Sequence, residues 1–218
     1  VSTQLQTTNS ELSSLSGCFL TYLFMEYFKQ KMGTAKAIEN HFDLAAATII
    51  SDYCSLDNPY NLSILNEFYS LTSLGNILSD FENQYTSINQ SFIAYTVAPK
   101  INSTIRLGKG QLVLDYLLET SKSRRLNILE NLNNNTEIQR EVLSELISTS
   151  NIITTDNINI VNLSRAKSQI IDKRTIRNFT GLVATQVKSK TSKPTIALYR
   201  QKGEIKGSFR ADGFVDYK

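Results

Sequence analysis

The sequence predicts an α/β fold in two parts: a mostly helical first part, then a bridging helix leading into a small, basic, mixed β-α-β-β domain. Three observations carry this. Apolar residues recur at three- and four-residue spacing through most of the first 150 positions. From Asn151 the texture changes to short apolar runs separated by turn residues. The charge changes nearby: residues 1–163 hold ten basic and sixteen acidic side chains, whereas residues 164–218 hold thirteen and four. The expected divisions are 1–118, 119–150 and 151–218.

The 218 residues are 41% hydrophobic and 20% charged. That is globular composition, enough for one large domain or two small ones, and it argues against disorder along the whole length. Two cysteines, Cys18 and Cys54, cannot make a disulfide framework and suit a reducing, cytoplasmic compartment. The most apolar run, Cys18 to Phe28, is too short to span a membrane and is interrupted by Glu26. The first residue is valine, which suggests a fragment, a cleaved product or a processed chain.

In chain order, Leu12, Leu15, Phe19, Leu23 and Tyr27 predict a helix over 11–32, capped by Ser10 and stopped by Gly33. Ile38, Phe42, Ala45 and Ile49 predict a second over 34–52, with Thr34 as its cap. The Asn58-Pro59 pair marks a turn, and a third helix is expected from Asn61 to about Leu74. Residues 92–97 read as a short strand or an extended segment leading to Pro99, and 98–108 as a loop. A helix resumes near Lys109. Residues 121–150 form the long bridging helix, with a possible break at Asn133-Asn134-Asn135, whose amides read as a solvated surface. Strands are expected at 158–163, 195–200 and 204–210, with a helix over 180–190.

Many standard sites are excluded. A single histidine, His41, sits outside any cluster that could hold zinc. No Gly-rich phosphate loop and no G-x-S-x-G elbow is present. Four segments are informative. Asp52 ends an apolar helix, where a carboxylate opposes the helix dipole unless a cation compensates it. Lys100, Asn102 and Arg106 together offer a cation, an amide and a guanidinium to a phosphate. Gly181 opens a helix where close backbone approach and free N–H groups suit an anion. Ser208 and Arg210 alternate onto one face of a strand. Each also has an ordinary reading: an exposed end-of-helix Asp, a polar connector, an amphipathic helix and a polar strand face. Tyr199 and Phe209 read either as base-stacking platforms or as core.

The order of these segments resembles the DHH phosphoesterase superfamily, and within it the RecJ-like single-strand-specific exonucleases of phage or prophage type. Residues 11–28, containing LSGCFLTYLF, are similar to the helix that follows the family's DHH motif. DLAAATIISDYCSL resembles D-L-V-A-L-G-T-V-A-D-V-V-P-L, and FIAYTVAPKINSTIRLG resembles G-F-x-I-A-P-R-I-N-A-A-G-R-L-G. TGLVATQVKSKTSKPTIAL is similar to I-G-I-V-A-S-R-L followed by R-P-x-I-V-L. KGSFRADGF resembles K-G-S-A-R-S-x-x-G-F. Lys100 stands for a family arginine and Ile105 for a glycine.

The resemblance implies a helical remainder of a DHH catalytic domain joined to a DHH-associated domain. It implies a metal-ligating role for Asp52 and catalytic positions for Asn102 and Arg106 near the scissile phosphate. Lys100, Arg106, Gly181, Ser208 and Arg210 are implied nucleic-acid contacts. The implied cofactor is Mn²⁺ or Mg²⁺ and the implied partner single-stranded DNA, with no membrane. The D-x-D, DHH and G-G-G-H motifs are absent from the 218 residues. The expectation is therefore an inactive fragment of a metal-dependent exonuclease, because one Asp cannot hold two ions. Two other functions fit the same segments: a DHH phosphodiesterase for short oligonucleotides or cyclic dinucleotides, and a non-catalytic replication or repair module. The nuclease expectation places the Asp52 carboxylate in a cleft facing the basic half.

Overall fold

A computed structural model describes residues 15–33, 41–71, 75–81 and 89–212. The expected caps Ser10 and Thr34, the helical positions 11–14 and 34–40, and the end of the third helix at 72–74 lie outside the described residues. The chain divides into two compact units, Val1–Pro99 and Lys100–Lys218.

In the first unit, α1 (Gly17–Met32) starts at Ser16, whose Oγ accepts from the Phe19 N–H at 3.1 Å. α1 thus begins at Gly17 rather than at the expected Glu11, with Ser16 as its cap. Gly33 ends the helix in the left-handed conformation that glycine adopts without strain, as expected. α2 (Phe42–Ser51) packs its small face, Ala45, Ala46 and Ile49, against both α1 and α3 (Pro59–Tyr69). Asn58 caps α3 through the Tyr60 N–H, so the helix begins two residues earlier than the proline turn suggested. Proline tolerates the first helical turn because that N–H needs no partner. A single short turn of helix, α4 (Asn76–Ser79), follows.

The segment 92–106 corrects the sequence expectation. It is helical, not an extended run and a loop. α5 (Gln90–Phe92), a π-turn (Ile93–Val97) and α6 (Ala98–Arg106) follow without a gap. Pro99 lacks an N–H, and its ring crowds the carbonyl four residues back. The wider π-turn immediately before it accommodates both defects. Phe92, Ile93 and Val97 are buried, and the π-turn packs on α2. That burial overrides the extended preference of this β-branched, aromatic run.

In the second unit, α7 (Gly110–Leu118) packs on α8 (Lys122–Thr149). α8 is unbroken over 28 residues. The Asn run does not break it, nor is it a solvated surface throughout: Asn135 is 2% exposed. Its Oδ1 accepts from Lys109 Nζ at 2.8 Å, and its Nδ2 donates to Thr104 Oγ1 at 3.2 Å.

The sheet has four strands in chain order: β1 (Asn151–Thr154), β2 (Asn159–Asn162), β3 (Thr195–Gln201) and β4 (Glu204–Arg210). β1 is an additional edge strand that the sequence did not reveal, because all four of its residues are exposed and no burial pattern marks it. The β2–β3 pair is parallel and the other two are antiparallel. The crossover from β2 to β3 carries α9 (Thr180–Thr191), as a parallel connection requires. The core is built from α8, α9, Phe179 just before α9, and the inward residues of β2 and β3, and includes Val142, Leu146, Val161, Val183 and Ala197. Tyr199 joins it and donates its hydroxyl to the Lys173 carbonyl at 2.8 Å, so it is core rather than a stacking platform.

Candidate functional site

Asp52 is the C-cap of α2. Its N–H donates to the Thr48 carbonyl at 2.9 Å, and its exposed carboxylate receives the Ser51 hydroxyl at 3.4 Å. Tyr53 follows in the left-handed conformation, φ 53°, and is 91% exposed. Tyr53 N–H donates to Ile50 and Cys54 N–H to Ile49, which closes the helix end. Burial raises the thiol pKa of Cys18 and Cys54, and the Asp52 charge adds to both shifts. These thiols are therefore poor thiolate ligands. Among the described residues no group of three or more His, Cys, Asp or Glu side chains converges. The described residues therefore do not by themselves hold a divalent ion.

Asp43, in the same α2, was not singled out by the sequence. It is 4% exposed and accepts the N–H groups of Leu44 and Gly75, both at 2.8 Å. A side chain at position 75 would meet its Oδ2 at 3.0 Å. It is a structural clasp between α2 and the start of α4. An acidic residue in a first helical turn is the signal for such a role, and it resembles a cap more than a catalytic group.

The second unit gathers several candidates. Because 100–106 is helical, Asn102 and Arg106 are i,i+4 neighbours on one face, whereas Lys100 lies roughly 120–160° around the helix. The sequence placed all three in one loop; the helix separates Lys100 from the pair. Half-burial lowers the pKa of both Lys100 and Arg106. Arg106 Nη1 donates to Gln139 Oε1 of α8 at 3.2 Å, and its carbonyl accepts from Asn178 Nδ2 at 3.1 Å.

The segment that holds Arg106 continues into the second cluster. A 3₁₀ turn (Thr175–Phe179) runs directly into α9. Thr180 and Ser208 share a hydroxyl hydrogen bond at 2.9 Å. A Cβ at Gly181 would lie 3.2 Å from Arg210 Nη2 and 3.7 Å from Ser208 Oγ. The glycine thus leaves room for the guanidinium of β4, not only for a ligand. Arg210 Nη1 donates to the Phe209 carbonyl at 2.8 Å, and the side chain stays exposed. Nearby on α9, Lys188 pairs with Asp212. Gly181, Ser208 and Arg210, chosen from separate stretches of sequence, are therefore one cluster. Such a cluster can present a guanidinium and hydroxyl donors to a phosphate oxygen.

No family model and no curated protein matches the chain. Solved structures do match. RecJ from Thermus thermophilus in complex with Mg²⁺ aligns at TM-score 0.62 and 17% identity, over 86% of this chain and 29% of that one. The same protein with Mn²⁺ aligns at 0.60 and 18%, over 86% and 28%. An exonuclease RecJ bound to manganese aligns at 0.66 and 16%, over 94% and 51%. The fold is that of RecJ structures, and the chain spans between about a quarter and a half of their length. No described helix is long and apolar enough to cross a membrane.

Proposed function

We propose that this chain is part of a RecJ-like, metal-dependent nuclease and that its second unit holds the backbone of single-stranded DNA. The observation that supports this most is the cluster of Gly181, Ser208 and Arg210 on a fold shared with RecJ structures. Arg210 binds a phosphate oxygen through its free donors, and Ser208 adds a hydroxyl. Arg106 and Asn102 position a second phosphate from their common helix face. Lys100, off that face, contributes charge without direct contact. On this reading Asp52 is the first unit's contribution, among the described residues, to a Mn²⁺ or Mg²⁺ centre, and the 218 residues alone do not cleave DNA. The two free thiols suit a cytoplasmic setting.

Fluorescence anisotropy with a labelled oligothymidine tests the reading. Affinity falls steeply as salt rises, and Arg210→Ala weakens binding while reducing the slope of log K against log salt by about 0.7. Binding independent of salt, or an Arg210→Ala variant identical to the parent, sinks the proposal. Manganese-dependent cleavage by the purified chain overturns its last clause.

A further inference from the structure

The sheet has two faces, and among the described residues only one is covered by an α-helix, α9. Strand alternation and register turn Ser208 and Arg210 toward the α9 side, in line with Ala197 and Thr195. Asn151, Asn162, Leu198, Arg200 and Ile205 point the other way. With Ser164 and Arg165 from the 3₁₀ turn after β2 (Leu163–Arg165), they line a concavity of about 580 Å³. We propose that this concavity is a second site, which binds one phosphorylated nucleoside.

The charges argue for the phosphate. Arg165 and Arg200 face one hollow, and neither forms an ion pair among the described residues. Glu204, close by in β4, is taken by Lys206 at 3.0 Å. Two uncompensated guanidiniums around one space favour a compact, multiply charged anion, and their planar forks match phosphate oxygens.

The rest of the lining argues for a nucleoside attached to that phosphate. Leu198 and the exposed Ile205 offer an apolar surface for the flat face of a base. Asn162 Oδ1 is occupied by the Ser164 N–H at 3.0 Å, which leaves its NH₂ as a donor for acceptors on a base edge. Ser164 Oγ accepts the Arg200 N–H at 3.1 Å and ties the turn to β3. The two arginine-bearing segments are thus held together before any ligand arrives. The size falls within the range of small-ligand pockets.

The phosphorylated nucleoside has two sources: a free mononucleotide, or one nucleotide of a strand. Titration calorimetry of the full 218-residue chain separates them, using AMP, adenosine, inorganic phosphate and a twelve-residue oligothymidine. AMP binds saturably, with adenosine and inorganic phosphate at least about tenfold weaker. Arg165→Ala and Arg200→Ala each weaken AMP about tenfold, and Ile205→Glu abolishes binding by placing a carboxylate at the rim. In the Arg210→Ala background, which removes the phosphate contact of the strand reading, AMP still binds and still depends on Arg165 and Arg200, so failure here and failure of the strand reading are distinguishable. Displacement of AMP by the oligonucleotide in the Arg210→Ala background identifies a strand as the source; no displacement identifies the free nucleotide. AMP that does not saturate at millimolar concentration overturns the proposal. So does phosphate binding as tightly as AMP, or a folded Arg165→Ala variant that binds like the parent. Arg165 is exposed on a turn, so that variant keeps the fold.

Discussion

Asp52 in the first unit and Arg210 in the second are both exposed charged side chains at the end of a regular element. Among the described residues the Asp52 carboxylate accepts a side-chain hydrogen bond only from Ser51, a long one at 3.4 Å, and its helix ends on a tyrosine in a conformation better suited to glycine. Arg210 sits against a glycine that leaves space for it, beside two bonded hydroxyls, on a strand paired over seven residues. The contrast is one of support. A phosphate-binding cation can be positioned by a single strand and the helix packed on it. A metal centre needs several carboxylates or imidazoles from separate segments, and the described part of the first unit supplies no such group.

If the second unit's cluster depends on the sheet, the largest effect comes from Gly207. A Cβ there would lie 2.3 Å from the Ala197 carbonyl oxygen and 3.0 Å from Leu198 Cδ2. Gly207→Ala should destabilise the unit by about 3 kcal/mol and lower DNA binding with it, measured by urea unfolding and anisotropy. Unchanged stability would break the claim that β4 is held in this register.

Asn135 probes the polar seam between α6 and α8. Asn135→Ala leaves Lys109 and Thr104 without their shared partner and should cost about 1–3 kcal/mol in the same unfolding assay. A neutral result would mean the seam adds nothing to the positioning of Arg106.

In the first unit, the strained end of α2 can be relaxed. Tyr53→Gly should raise stability by about 1 kcal/mol, seen as a higher urea midpoint, with DNA binding unaffected. A loss of binding would move part of the proposed interface into the first unit and erase the contrast.

The smallest effect is a pH dependence. Hydrogen bonds from Thr175, first its N–H and then its side chain, hold the Asp172 carboxyl below its ordinary value, with Arg174 assisting. A carboxyl whose folded pKa is depressed adds stability above its unfolded pKa, and that increment disappears as pH falls through the folded one. Asp172→Asn should therefore flatten the acid limb of the stability profile, followed by circular dichroism from pH 7 to pH 2. An unchanged acid limb would remove this residue as an anchor of the 175–181 segment.

Local pattern was enough for the body of α1, for α9, β3, β4 and the glycine stop at Gly33, because periodicity and turn residues act over a few positions. It was also enough to choose Gly181, Ser208 and Arg210 one by one. Their convergence was not legible, since Gly181 and Ser208 lie 27 positions apart and the packing of α9 on β4 brings them together. Similarly, Asn135 looks like any solvated amide in sequence, and only the packing of α6 on α8 buries it. Pro99 looked like the end of an extended run, and burial of Phe92, Ile93 and Val97 made it part of a helix.

Composition and short-range spacing determined that the chain is helical first, mixed afterwards and basic at its end. Tertiary structure alone decided which polar side chains meet. Hydrogen bonds and steric fit act over about 3 Å, and a linear pattern does not encode which distant residues come that close.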